Sequence, residues 1–331
     1  MKSNERILIV APSWIGDLII SQSLFKQLKL INRDCVIDVV IRSNLIPIVN
    51  KMPQIDRKLP LDVPHGSLGI FHRYRLAKEL KNYSYQKAYI LTNSFKSAII
   101  PWLANIPIRV GYLGEMRYGL INKRFYEKKF EISMVNRFLK LADSFYKEDL
   151  LPELVLNEAE KKEVILKFDI DLSKKNIFLC PDAEYGPAKR WPSEKWYELA
   201  RMFDALGYKI YFLGKSNLGF NNLSSLPNVT SLINRTTIEE TIHLLSTADL
   251  VVSNDSGLMH VASSVNAKIL AIFGSTSPKY TPPLSKNGYS KIAYHNVDCS
   301  PCFKRTCPYG HLKCLKEIGV DEIMAEAGNL L

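Results

Sequence analysis

Three short segments carry side chains whose types and spacing could do chemistry. The first is Pro12-Ser13-Trp14-Ile15-Gly16-Asp17, between the apolar run Arg6–Ala11 and a helical pattern. Gly16 lets the backbone pass close to a ligand. Asp17 reads either as a helix-start carboxylate favoured by the dipole or as a general base at a strand end. No G-x-G-x-x-G follows the run, so this is not a dinucleotide fingerprint. The second segment is Pro181–Pro192 (PDAEYGPAKRWP), where Lys189 and Arg190 are adjacent cations. Such a pair can neutralise phosphate, Lys as a point charge and Arg as a planar fork, or can be a solvated pair beside a packed Trp191. The third is Ser253–His260 (SNDSGLMH), which opens a helix after an apolar run. Free N–H groups at Ser256–Leu258 would bind an anion, unless the segment is only a capped helix with His260 packed inside. Gly214-Lys215-Ser216 imitates the end of a Walker A loop, but the required upstream glycine is Lys209, so Gly214 reads as a turn after a strand.

The cysteines are a separate candidate. Four of the six lie in Cys299-x2-Cys302-x4-Cys307-x6-Cys314, with His311 among them. Four thiolates at short spacing suit a structural zinc or, less readily, an iron–sulfur cluster. The spacing matches no standard zinc module, so free or redox-paired thiols are the alternative, and no catalytic role follows. Six cysteines in 331 residues do not suggest a disulfide scaffold.

The elements that must position these segments alternate along the chain. Arg6–Ala11, Val36–Ile41 and Ala88–Thr92 read as strands, with helices at Leu18–Leu30 and Leu76–Lys81. Further strands are expected at Asn176–Cys180, Lys209–Leu213, Leu250–Ser253 and Ile269–Phe273, separated by helices at Glu194–Leu206, Ile238–Ser246 and Leu258–Val265. Strands alternating with helices imply an α/β fold with parallel sheets, two doubly wound domains whose ligands bind at the carboxyl ends of the strands. The length also suits two domains. We place them at 1–155 and 176–331, joined by a polar linker at 156–175, with the last helix expected to pack back on the first domain.

Composition excludes several classes. With 47% hydrophobic and 10% aromatic residues the chain can build cores, and 16 Gly with 17 Pro exclude a fibrous repeat. The longest apolar stretches are interrupted by Pro12 and Asp17, which argues against a membrane span and a signal peptide and for a cytoplasmic protein. The formal charge is +11, and all of it lies in the first half. Residues 1–150 hold 24 Lys+Arg against 13 Asp+Glu, while residues 151–331 hold 20 of each. An anionic partner is implied.

Five stretches together resemble the bacterial ADP-heptose:lipopolysaccharide heptosyltransferases. They are PSWIGDLIISQSL (12–24), NSFKSAIIPWLANIPIRVGYLGEMRYGLIN (93–122), PDAEYGPAKRWP (181–192), NDSGLMHVASS (254–264) and, more weakly, TPPLS (281–285). The 93–122 stretch with EYGPAKRWP points within that family to enzymes that add the second heptose. The resemblance implies a GT-B architecture, two Rossmann-like domains facing a central cleft. It implies that Asp17 is the base that deprotonates the acceptor hydroxyl and that Lys189 offsets charge on departing ADP. Asp255, Ser256, Gly257 and His260 match the D-[ST]-G-x-x-H loop that holds pyrophosphate and sugar. Glu184, Tyr185, Arg190 and Gly16 join them as donor-side expectations. Glu184 and Tyr185 stand where a related branch has threonines, and Ser216 lies near an acidic donor-binding position of that branch.

For the acceptor, the resemblance implies Kdo-linked lipid A already bearing one heptose, a glycolipid rich in carboxylate and phosphate. Lys96, Arg109, Arg117, Lys123 and Arg124 could meet it, or be solvated surface cations. The expected reaction is inverting transfer from ADP-heptose without a cofactor, by a monomer touching the cytoplasmic face of the inner membrane. No D-x-D metal motif stands at a strand-end loop. A nucleotide-sugar epimerase on the same scaffold is the alternative. A nucleic-acid module would instead interleave cations with aromatics along one stripe, which the chain does not do.

Overall fold

In a computed structural model the described residues are 5–64, 66–126, 130–215 and 223–331. They divide into two compact units, Met1–Leu150 and Leu151–Leu331.

The first unit runs β1 (Arg6–Val10), α1 (Ile15–Ile31), β2 (Val36–Ile41), α2 (Ile46–Val49), β3 (Arg57–Pro60), α3 (Ile70–Leu80), β4 (Lys87–Ile90), α4 (Phe95–Leu103), β5 (Ile108–Tyr112), β6 (Lys123–Phe125) and α5 (Met134–Lys140). Its sheet has the order β3-β2-β1-β4-β5-β6, and every pair is parallel. The second unit runs α6 (Glu158–Lys167), β7 (Asn176–Cys180), α7 (Ser193–Ala205), β8 (Lys209–Phe212), β9 (Val229–Ser231), α8 (Ile238–Leu245), β10 (Leu250–Asn254), α9 (Gly257–Ser264), β11 (Ile269–Phe273), β12 (Ser290–Tyr294), α10 (Lys313–Lys316) and α11 (Val320–Leu330). Its order, β12-β11-β10-β7-β8-β9, is the same doubly wound topology, again all parallel. The order in which strands are added reverses once in each sheet, between β1 and β4 in the first and between β7 and β10 in the second. A crevice opens outside the strand ends at such a switch point.

The central strands are apolar runs because helices cover both faces of a parallel sheet. In the second unit every residue of β7, β10 and β11 is buried. One face packs Ile177, Leu179, Leu250, Val252, Leu270 and Ile272 under Trp196, Leu199 and Phe203 of α7 and Ile323 of α11. On β7 the intervening Phe178 stacks on Tyr211 with ring centroids 4.9 Å apart. Each large side chain buried this way contributes roughly 1.5–3 kcal/mol. Local signals set the helix ends: Thr237 and Glu240 form a reciprocal capping box on α8, and Asn157 caps α6 by accepting from Ala159 N at 2.9 Å.

Residues 156–175, expected as linker, contain α6, which packs against α8. Helix α11 packs against α7, β11 and β12 of its own unit. Among the described residues no helix is long and apolar enough to cross a membrane.

Candidate functional site

The switch point of the first sheet carries Gly16 and Asp17. β1 ends at Val10, whose carbonyl accepts from Leu91 N at 3.1 Å, so the loops after β1 and β4 leave the sheet side by side. Trp14, exposed, is the N-cap residue of α1, and Gly16 and Asp17 sit half-buried in its first turn. There the helix dipole favours the Asp17 carboxylate.

The loop after β4 is held from inside by Arg117. Its guanidinium donates to Thr92 O at 2.7 Å, Ser94 O at 3.1 Å and Ser97 Oγ at 3.0 Å, and also to Tyr112 O. Arg117 is fully buried, and burial pushes its guanidinium down to about 10. The expectation that it meets the acceptor is therefore corrected: the side chain is buried, with Nη1 and Nη2 bonded to groups of its own unit. The other expected acceptor cations lie farther out. Arg109 donates to Leu120 O and Ile106 O at 2.7 and 2.6 Å, Lys123 pairs with Asp143 at 2.9 Å, and Arg124 lies exposed against Tyr118. Lys96, half-buried, reaches Ser67 O at 3.4 Å.

The switch point of the second sheet gathers more. Lys189 closes a short 3-10 turn, Pro187–Lys189, after β7, and its Nζ lies 2.5 Å from Asp255 Oδ2 just past β10. Both are largely shielded, with side-chain exposures of 13% and 3%. Asp255 Oδ2 also accepts from Thr276 Oγ1, on the loop after β11. Tyr185 lies beneath two cations, Lys189 Nζ at 5.0 Å and the Arg305 guanidinium at 5.2 Å from its ring centroid. His260 is buried in the first turn of α9. Burial pushes its imidazole down to about 4, Asp255 pulling the other way and Lys189 adding to the depression. Ser256 is the N-cap of α9 and Gly257 opens it, with no side chain capping that end. A protected cation and a helix start that no side chain caps suit the charge of a pyrophosphate. Arg190 instead donates to Ala183 O at 3.2 Å and pairs with Asp182 at 3.7 Å, so it braces the loop. Glu184 is exposed, and Ser216 lies outside the described residues. Gly214 follows β8 in irregular backbone rather than a turn, and Lys215 N donates to Asp182 Oδ2 at 3.0 Å.

Two residues that sequence reasoning missed organise this site. Asn254, fully buried, accepts from Trp191 N at 3.1 Å and donates to Pro181 O at 2.6 Å, which ties the loop after β7 to the end of β10. Thr276 is the second. Its only signal was a hydroxyl in the loop after a strand.

The cysteine segment also serves this loop. All six cysteines are free, and Cys299, Cys302, Cys307 and Cys314 line one small cavity with Ala188 and Ser275. Backbone N–H groups, that of Leu312 foremost, hold the Cys307 thiol below its usual value, whereas burial pushes Cys314 up to about 11. Among the described residues no group of three or more His, Cys, Asp and Glu side chains is placed to hold a metal ion. The structural metal that the spacing suggested is thus not shown. The segment pins backbone: Ala188 N donates to Arg305 O at 3.1 Å, Phe303 N to Ser275 O at 2.7 Å, and Tyr185 OH to Phe303 O at 2.7 Å.

Comparison with known proteins agrees with this fold. Residues 73–313 match the model of glycosyltransferase family 9 (heptosyltransferase). The chain is 37% identical to lipopolysaccharide heptosyltransferase 2 of Salmonella typhimurium, over 89% of this chain and 95% of that one. It is 38% identical to lipooligosaccharide heptosyltransferase 2 of Haemophilus influenzae, over 84% and 86%. The structure of Escherichia coli ADP-heptose LPS heptosyltransferase II superposes with a TM-score of 0.84 at 32% identity, covering 98% of both chains. With a family model that spans most of its length, the chain belongs to glycosyltransferase family 9, the heptosyltransferases.

Proposed function

We propose that this heptosyltransferase moves a heptose from ADP-heptose to the first heptose of a Kdo-linked lipid A acceptor, with inversion at the anomeric carbon. The observation that carries the reading is the site at the second switch point, where Lys189, Asp255, His260 and the start of α9 offer the charge and the N–H groups a pyrophosphate needs. In this reading residues 176–331 bind the donor and residues 1–155 the acceptor. The acceptor hydroxyl gives its proton to Asp17 as its oxygen bonds to the anomeric carbon, and the bond to ADP breaks on the opposite face. A carboxylate is a weak base at neutral pH, so Asp17 acts by placement. Lys189 meets the charge that grows on ADP, a role worth a few kcal/mol. Ser256 and Gly257 offer backbone N–H groups to the phosphates, Tyr185 and Glu184 border the donor, and Lys96, Arg109, Lys123 and Arg124 face the acidic acceptor. The chain acts as a monomer, peripheral at the cytoplasmic face of the inner membrane, with no cofactor.

The test is incubation with ADP-heptose and a defined one-heptose acceptor, with mass analysis of the product. One added heptose and stoichiometric ADP are expected. Conversion of ADP-heptose to another nucleotide sugar without acceptor would establish the epimerase reading instead.

A further inference from the structure

We infer that the exposed stripe of α3 is the surface by which this protein docks on a bilayer bearing anionic lipid. Four large apolar or aromatic side chains stand out within seven residues: Leu68 is 51% exposed, Ile70 61%, Phe71 76% and Tyr74 55%. At about 100° per residue, Ile70, Phe71, Tyr74, Arg75 and Lys78 share an arc of about 140° on α3. The opposite side buries Arg73, Ala77 and Leu80. Lys81, exposed, continues the stripe into a 3-10 turn, so its apolar N-terminal end gives way to three cations, with the exposed Glu79 about 40° outside the arc beyond Arg75.

This exposure is built into the local structure. Gly69 precedes α3 at φ 54°, and a Cβ there would come within 2.4 Å of Val63. Arg73 Nε donates to Leu68 O at 2.8 Å, and Lys96 reaches Ser67 O. The buried guanidinium thus fixes the turn that holds Leu68 and Ile70 outward.

Charge and size name the occupant. The unit that holds α3 carries 24 Lys+Arg against 13 Asp+Glu, which complements an acidic surface. Aromatic rings beside cations are the mixture that settles at a headgroup boundary. A helix of 11 residues is about 16 Å long and about 10 Å wide, a footprint of about 160 Å², small against the roughly 800 Å² per partner of a stable protein interface. A bilayer asks for no such matching area. The inference deepens the proposed function, since that acceptor is a lipid, but its primary test uses neither donor nor acceptor.

The test is co-sedimentation of the full chain with vesicles of phosphatidylethanolamine and phosphatidylglycerol, against vesicles of phosphatidylcholine. Wild type should bind the anionic vesicles. The pair Ile70→Ser and Phe71→Ser should lower apparent affinity at least tenfold. Arg75→Gln, Lys78→Gln and Lys81→Gln should each cost about fivefold, the equivalent of about 1 kcal/mol per cation at an anionic surface. Phe71→Trp should show quenching by brominated lipid beyond that of wild type, which reads insertion even if the polar variants fold poorly. Wild type that stays in the supernatant, or an apolar pair that binds like wild type, would overturn the inference. So would self-association in sedimentation velocity that the same pair abolishes, because the occupant would then be a second copy. On transfer, the pair should slow reaction with vesicle-embedded acceptor and spare a delipidated one. Equal loss on both would assign the stripe to the glycan. If vesicles bind but no acceptor is glycosylated, the proposed reaction fails and the docking surface stands.

Discussion

At the scale of single residues, the Lys189–Asp255 pair makes loss of catalysis separable from loss of folding. Removing Lys189 leaves a carboxylate that is 3% exposed and still accepts from Thr276 Oγ1, at a cost of about 1–3 kcal/mol or more. Lys189→Ala should therefore lower both melting temperature and donor turnover. Adding Asp255→Asn should recover stability without recovering turnover, and recovery of both would remove Lys189 from the phosphate role. Asp17→Ala should reduce kcat by roughly 10²–10⁴ while ADP affinity by calorimetry stays near wild type. Weakened ADP binding would make Asp17 a donor ligand. His260 sets a pH dependence. Its value is depressed from 6.5 to about 4, so the unfolded chain takes up the proton first as pH falls. The stability held by neutral His260 is complete above about pH 6.5 and drains away down to about pH 4, on the order of 3 kcal/mol in all. Thermal melts across that window should fall for wild type and flatten for His260→Gln.

At the scale of elements, the loop after β7 is shaped by what lies on it. Gly186 has φ 153°, and a Cβ there would sit 2.4 Å from Arg305 O, the acceptor for Ala188 N. The obstacle is backbone, so it cannot swing aside as a side chain would. Gly186→Ala should push the Cys299–Cys314 segment off the loop and weaken ADP affinity by tenfold or more, with about 1–3 kcal/mol lost from stability. Wild-type ADP affinity would show that the segment does not shape the donor site. This coupling was invisible in the sequence, where the cysteines suggested a metal and nothing linked Arg305 to Gly186. What could be read were the strands buried on both faces: Val36–Ile41, Asn176–Cys180 and Ile269–Phe273 match β2, β7 and β11 residue for residue. The edge strands β3, β6, β9 and β12 escaped because one side faces solvent and their apolar signal is thin. β6, for instance, is Lys123-Arg124-Phe125. The interior β5 escaped because Arg109 and Gly111 interrupt its apolar run. Residues in the strand-end loops were legible by type, as Lys189 and Asp255 were. Arg117 was misread because a cation in a loop looks the same whether it faces water or holds carbonyls from inside. Asn254 and Thr276 went unseen because their partners are contributed by distant loops that only the fold brings near.

At the scale of the whole molecule, the two units divide the electrostatics between them. The unit Met1–Leu150 carries 24 cations against 13 anions, and the second unit is balanced. A net field reaches past contact distance only as far as salt allows, about 10 Å at 0.1 M ionic strength. A shielded contact such as Lys189, only 13% exposed, is screened far less. The two substrates should therefore respond differently to salt. Raising NaCl from about 50 to about 300 mM should lower kcat/KM for the proposed acidic glycolipid acceptor several-fold, because steering toward the basic unit is lost. ADP affinity, measured on the same protein, should change by a smaller factor, since its cation is held within the site. Equal slopes for both would mean that the basic excess serves the nucleotide as much as the glycolipid, and the division of labour between the units would fall with it.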